Sequence, residues 1–173
     1  VDQGSLSPAL CAALKEALGA HGNILIAGGT SSGKTTFTNA LLAEPVLAAD
    51  RIIILEDTRE LCCAVPNAVQ LRTQRGSVCL QELVRSTLRL RPDRIIVGEV
   101  RGPEALDLLK AWNTGHPGGI TTLHANSALG ALRRLEQLTL EATPRAPFDL
   151  IADAIDVVVF MSRANGVRRI EEA

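Results

Sequence analysis

Gly28-Gly29-Thr30-Ser31-Ser32-Gly33-Lys34-Thr35 combines residue types and spacing that point to one chemistry, the holding of a phosphate chain. The run satisfies G-x-x-x-x-G-K-[ST] at every fixed position, with Thr36 directly after it. Glycines let the chain fold so that successive amides converge on phosphate oxygens. A helix starting at Lys34 would add about half a positive charge at its N-terminus. The Lys34 ammonium can reach β- and γ-phosphates, and the Thr35 hydroxyl can ligate Mg²⁺. An apolar run, Asn23–Ala27, precedes the loop and a helical pattern, Lys34–Leu42, follows it; this strand–loop–helix context separates the motif from a chance glycine turn. Gly28 to Thr36 are therefore the candidate nucleotide contacts.

Three further runs end in groups that could act on a bound phosphate. Arg94-Ile95-Ile96-Val97-Gly98-Glu99 closes a β-branched run with a carboxylate. Many phosphate-loop enzymes carry Asp-Glu at this point, the Asp holding Mg²⁺ through water, and here the Asp position is Gly98. A lone Glu99 suits a base for an attacking water better than a primary metal ligand. Ile52-Ile53-Ile54-Leu55 leads into Glu56-Asp57-Thr58-Arg59-Glu60, whose three carboxylates cannot all serve a metal shell. Gly119-Ile120-Thr121-Thr122-Leu123-His124 brings a histidine to another strand end, where it could sense a γ-phosphate. His116 lies in a glycine-rich loop and is a weaker candidate; His21 is incidental. Arg72, Arg75, Arg85, Arg89, Arg91, Arg94 and Arg101 make the middle of the chain arginine-rich. Most are expected on solvated helix faces or in ion pairs, with one or two reaching a neighbouring subunit's nucleotide.

These groups need a frame that brings strand ends together. The runs Asn23–Ala27, Arg51–Leu55, Arg94–Gly98, Gly119–His124 and Asp156–Met161 are rich in Ile and Val and do not alternate with polar residues. That pattern suits strands buried on both faces, a largely parallel sheet between helix layers. Ala68–Thr73 is a sixth candidate strand. Asn165-Gly166 between Val157–Ser162 and Val167–Ile170 signals a C-terminal antiparallel hairpin. Ser7-Pro8 marks one helix start, Pro103 another, and Ser77 and Ser127 are expected caps for two more. The fold class is thus α/β, with one domain over 1–173 at the usual ~100–200 residues per domain. Because the chain starts at Val1 rather than Met, a fragment or processed form of a longer protein is expected.

Composition narrows the function. Hydrophobic residues make up 46% of the 173, enough for a packed core and against disorder. The net charge of −1 gives no basic surplus for a nucleic-acid footprint, so no direct sequence-specific nucleic-acid binding is expected. Three Phe, one Trp and no Tyr are too few rings for a base-stacking platform. The four cysteines form no Cys-x-x-Cys pair, which argues against a zinc ribbon and for idle thiols in a reducing cytosol. No apolar run approaches the ~18 residues that span a bilayer, and no signal peptide is recognisable.

In order, GGTSSGKT, ILEDTRE, RPDRIIVGEVRGPEA and GGITTLHANSA resemble the secretion-superfamily traffic ATPases of type II and type IV secretion and pilus systems, within them the conjugal-transfer branch. The resemblance covers about residues 20 to 162. It implies a RecA-like C-terminal motor domain in a homohexameric ring, peripheral on the cytoplasmic face of a bacterial inner membrane and partnered by secretion-channel components. It implies ATP and Mg²⁺ as ligand and metal. Gly28–Thr35 matches the family's Walker A loop and Arg94–Glu99 its Walker B, with Glu99, Lys34, His124 and Glu60 as the catalytic set. The Asp box matches Glu56–Glu60, which puts Glu56 and Glu60 beside Thr35 as candidate metal neighbours, and the His box centres on His124. Arg91 matches a position near subunit contacts, with Arg101 a second candidate acting in trans. Two departures stand out. Nothing corresponds to the N-terminal domain that helps enclose base and ribose, so weak binding and slow hydrolysis are expected of this domain alone. Ser31 fills a place often taken by Gly, with little expected effect. The tetracysteine metal site of some type II secretion ATPases is missing. A phosphotransferase built on the same loop, and a scaffold that uses nucleotide only to close a ring, are the alternatives; the first lacks a lid segment, and intact Lys34 and Glu99 argue against the second.

Overall fold

The computed structural model describes residues 6–164 and 166–173. Seven strands form one sheet in the order β3-β2-β4-β5-β1-β6-β7. Its centre is built from β1 (Ile24–Gly28), β2 (Ile52–Glu56), β4 (Arg94–Val97) and β5 (Ile120–Leu123), every residue of which is buried. β3 (Ala68–Arg72) flanks β2 in parallel, and β6 (Val157–Ala164) runs parallel to β1. β7 (Val167–Glu172) pairs antiparallel with β6 and closes the C-terminal hairpin. Asn165, half of the expected turn, lies outside the described residues; Gly166 sits at φ +81°, as a tight hairpin turn requires.

Alternate residues of each central strand feed opposite cores. Leu25, Ile53 and Ile95 pack on the side of α3 (Leu80–Thr87), α4 (Glu104–Asn113), α5 (Ala128–Leu140) and α6 (Phe148–Ala154). Ile24, Ile26, Ile52, Ile54 and Ile96 pack on the other side with α1 (Pro8–Gly19) and α2 (Lys34–Leu42). Burial on both faces is why β1, β2 and β4 read as near-continuous apolar runs, while β5 buries two threonines. Each fully buried Ile or Leu contributes roughly 1.5–3 kcal/mol.

Helix punctuation follows local chemistry, with one correction. Ser7 and Ser127 cap α1 and α5 through their hydroxyls, accepting from Leu10 and Gly130. The cap of α3 is Cys79, not Ser77. Ser77 is consumed by a tight turn in which its amide donates to Gln74, while Gln74 and Val78 bridge. The Cys79 amide is met instead by Glu82 at 2.8 Å, the reciprocal half of a capping box.

Arg94 is one of the expected ion-paired arginines, with Asp50 as its partner, but it is buried rather than solvated. It is 1% exposed and opens β4. Its guanidinium donates to Leu18 O at the end of α1 (2.9 Å), to Gly118 O just before β5 (3.2 Å) and to the Asp50 carboxylate. A buried cation survives because each of the three guanidinium nitrogens finds an acceptor and one of these is a carboxylate. The fastening lies at the amino-terminal edge of the parallel strands, which leaves their carboxyl ends, on the opposite edge, to form the cleft.

Candidate active site

The carboxyl ends of β1, β2, β4 and β5 meet around a cleft of about 410 Å³. The loop after β1 supplies Thr30, Ser31, Lys34 and Thr35 to its lining; β2 supplies Glu56 and, beyond it, Asp57 and Glu60; β4 leads to Gly98, Glu99 and Arg101; β5 brings Thr122 and His124. Residues from four separate runs of the sequence therefore share one space.

The loop is set for an anion. Gly33, the N-cap of α2, has φ +102° and no side chain to offer, so the first-turn amides of Lys34, Thr35 and Thr36 find no acceptor within the helix. Ser31 adopts φ +61°, a left-handed conformation that an L side chain occupies at a cost of about 1 kcal/mol. A glycine would take this backbone without strain, so the Ser-for-Gly exchange, expected to matter little, carries that small cost. Ser32 is buried and its hydroxyl has no partner. Gly28 has Met161 O only 2.4 Å from where a Cβ would stand, so only glycine fits between the loop and β6.

Lys34 is folded inward, 8% exposed, with Nζ donating to Gly28 O at 2.8 Å and Gly29 O at 3.1 Å. Burial lowers its pKa, Glu99 and Glu60 oppose that, and the positive charge of Arg101 adds to the lowering. The ammonium is 3.5 Å from His124 Nδ1. Its two carbonyl partners hold the cation in place where a stronger anionic partner can take it over.

The acids divide by position. Glu56 is 3% exposed; one oxygen accepts from the amides of Glu60 (2.9 Å) and Leu61 (2.8 Å), which folds the acidic segment back toward α2. Its other oxygen is buried without a partner. The fold brings Glu60 to Thr35, whose hydroxyl donates to it at 3.1 Å. Glu99 projects from the end of β4 with one oxygen 2.8 Å from Arg101 Nη2. Its second oxygen is 3.0 Å from His124 Nε2, out of line for a hydrogen bond and otherwise unpartnered. Gly98 is explained by Glu56: a Cβ there would lie 3.1 Å from Glu56 Cγ and 3.6 Å from its Oε1. A side chain here would press on the Glu56 side chain from β2 and bring a second carboxylate beside its own.

Two cations, Lys34 and Arg101, thus face four carboxylates across one cleft. A bare triphosphate would meet net repulsion, which a divalent cation removes. The donor set fits such an ion: Mg²⁺ takes one or two protein oxygens and completes its shell with phosphate and water, and the Thr35 hydroxyl beside Glu60 offers that. Among the described residues no three His, Cys, Asp or Glu gather as a metal cluster.

Other candidates lie elsewhere. Arg91 precedes β4 at φ +52°, at the edge opposite the cleft, and cannot reach its own subunit's loop. His116 sits at that same edge with Nδ1 3.0 Å from Pro92 O. His21 lines a separate hollow beside Trp112. Two contributors escaped the sequence reading. Thr122 fixes Gly98 by donating to its carbonyl at 2.8 Å. Arg168, on β7, donates to Ser31 O at 3.3 Å, and its stem fills the space a Cβ on Gly33 would take, 2.8 Å away. The hairpin signal contained Arg168; only the pairing of β6 with β1 puts it against the loop.

Fold and loop together define a RecA-like α/β protein with a phosphate-loop motif at its switch point. The chain belongs to the type II/IV secretion system protein family, whose profile matches residues 2–164. It is 54% identical over 169 residues to the conjugal transfer protein TrbB of Rhizobium radiobacter, covering 96% of this chain and 52% of that one. It is 38% identical over 170 residues to the type IV secretion system protein VirB11 of Bartonella quintana, covering 92% and 48%. Among solved structures, the VirB11 ATPase of the Brucella suis type IV secretion system, crystallised with sulphate, superposes with a TM-score of 0.84 at 34% identity, over 97% of this chain and 57% of that one. The chain spans about half the length of the relatives it matches. No helix among the described residues is long and apolar enough to cross a membrane.

Proposed function

We propose that this chain is the RecA-like motor domain of a hexameric traffic ATPase. It hydrolyses ATP with Mg²⁺ to drive conjugal transfer through a type IV secretion system, assembling pili or moving substrate. It acts at the cytoplasmic face of the inner membrane beside the channel components, with a further N-terminal domain helping to enclose the base. The reading is supported by similarity to TrbB and VirB11 proteins and by one local observation. Lys34, the unfilled first-turn amides of α2, and Glu99 face one another across a single cleft.

In this mechanism the triphosphate enters over Gly28–Thr36 and Lys34 leaves the Gly28 and Gly29 carbonyls for the β- and γ-phosphates. Thr35, with Glu60 alongside, would hold Mg²⁺, whose charge would be available to neutralise phosphate oxygens. Glu56 keeps the acidic segment folded so that Glu60 meets Thr35. Glu99 orients a water and takes its proton as the water oxygen bonds to the γ-phosphorus. The bond from that phosphorus to the bridging oxygen breaks, and ADP and phosphate are released. His124, between Lys34 and Glu99, reports loss of the γ-phosphate to the rest of the subunit. Arg91, on the far edge, is the arginine available to a neighbouring subunit.

Two variants of the intact protein test this. Lys34→Ala loses nucleotide binding or turnover. Glu99→Gln binds ATP and stalls, with phosphate release down about 10²–10⁴-fold as for loss of a general base. Turnover by Glu99→Gln at the wild-type rate refutes the role given to Glu99. A phosphorylated acceptor in place of free phosphate refutes hydrolysis altogether.

A further inference from the structure

We propose that Arg101 is a gate acting within its own subunit: it occupies Glu99 while the cleft is empty or holds a diphosphate, and a γ-phosphoryl group draws it away, freeing Glu99 to orient water. This rests on the ATPase reading above and adds to it how the base is withheld until the right nucleotide is bound.

The backbone at Arg101 is fixed. The amides of Arg101 and Gly102 both donate to Glu104 Oε1, at 2.7 and 2.9 Å, and Glu104 is itself only 6% exposed. A Cβ on Gly102 would stand 3.2 Å from Glu104 Oε2, so the turn is packed as well as bonded. Motion is therefore left to the side chain, which is 64% exposed.

The guanidinium has partners it can exchange. It holds Glu99 at 2.8 Å and reaches Asp57 at 3.8 Å. Exposed ion pairs of this kind are weak and easily traded. A terminal phosphoryl group offers more charge and two oxygens to a planar fork, a stronger match than a single carboxylate oxygen. Arg94 is the opposite case, with its guanidinium buried among fixed acceptors and no route to exchange.

The same exchange resolves an electrostatic tension. Arg101 lines the cleft together with Lys34, and its charge contributes to the lowering of the lysine's pKa. A triphosphate places an anion against both cations. A diphosphate ends before the position that Arg101 would reach, so the pair with Glu99 stays intact. Glu99, Asp57, Arg101 and Lys34 line one cleft of one chain, so the exchange can run within a subunit.

The test is a pair of titrations on the intact protein, using fluorescent ADP and a fluorescent β,γ-imido analogue of ATP. The Arg101→Ala and Arg101→Gln variants should keep ADP affinity within about twofold, which also reports that they fold. Both should lose about tenfold in affinity for the analogue, one charge-assisted contact's worth. The loss should be the same at dilutions where the protein sediments as a monomer. Equal weakening of both nucleotides would make Arg101 a mere brace of the loop and overturn the gate. Unchanged affinity for both would overturn it too. Mixing Arg101→Ala with Lys34→Ala subunits should leave the weakened analogue binding of the Arg101→Ala subunits unchanged; restored affinity would show the arginine serving its neighbour and overturn the gate. Failure of the wild-type protein to bind either nucleotide would instead bring down the ATPase reading itself.

Discussion

Placing Asp at position 98, where many phosphate-loop enzymes have it, should damage this protein, and the structure says by how much. The three heavy atoms nearest a Cβ at Gly98 are Glu56 Cγ at 3.1 Å, Glu56 Oε1 at 3.6 Å and Leu55 O at 3.7 Å. None is cationic and two carry negative charge or its dipole equivalent. Two carboxylates about 4 Å apart at an effective dielectric of about 20 repel by about 4 kcal/mol. Escape by protonation has a similar ceiling: neutralising a carboxyl of ordinary pKa near 4 at pH 7 costs about 4 kcal/mol. Partial exposure of the site reduces both, so Gly98→Asp should lose about 2–4 kcal/mol. Gly98→Asn has nearly the same shape without the charge and isolates the steric part, which asks Glu56 to yield only a few tenths of an ångström. Urea unfolding at pH 7.5 and pH 5.5 reads the difference. The sign follows from proton uptake: the crowded pair has a raised pKa in the folded state, so folding binds protons and the Asp penalty shrinks as pH falls. Adding Glu56→Gln to Gly98→Asp should recover most of the charge penalty. If Gly98→Asp is as stable as Gly98→Asn at pH 7.5, the account of why Gly stands at this position is wrong.

Two other outcomes follow from buried charge. Arg94→Met should cost about 3–5 kcal/mol in denaturant unfolding, because Asp50 and the carbonyls of Leu18 and Gly118 are left without their donor; adding Asp50→Asn should restore part of the loss, and an Arg94→Met protein as stable as wild type would show that the fastening is dispensable. Lys34, whose pKa is lowered in the folded state, binds its proton less well there than when unfolded. The wild type should therefore gain stability relative to Lys34→Met as pH rises from the folded-state pKa of Lys34 through the ordinary lysine value, and a difference that stays flat across that window would contradict burial of the ammonium.

Much of the frame could be read from the residues. The Ile/Val runs gave five strands within a residue or two at their starts, because a strand buried on both faces has no polar alternation to obscure it. The phosphate loop and the hairpin were legible because glycine position dictates backbone shape. What was not legible depended on contacts distant in sequence. Nothing local distinguishes Glu56, buried and braced by two amides, from Glu60, which reaches Thr35. Arg94 looked like its six arginine neighbours until α1 and the segment before β5 closed around it. Ser77 was a reasonable cap by residue type, and lost because residues 74–78 close a turn of their own. α6 was not expected, since its N-cap is Pro147, which offers no side-chain acceptor.

The unequal treatment of the two arginines flanking β4 has a mechanical meaning. At one margin of the sheet, a guanidinium ties a helix, a strand and a loop together. At the other, a second guanidinium hangs from an anchored turn and swings on its own stem. On the proposed function, a departing phosphate would thus act on a braced margin through a side chain that is free to swing, with the two guanidiniums dividing holding from moving between them.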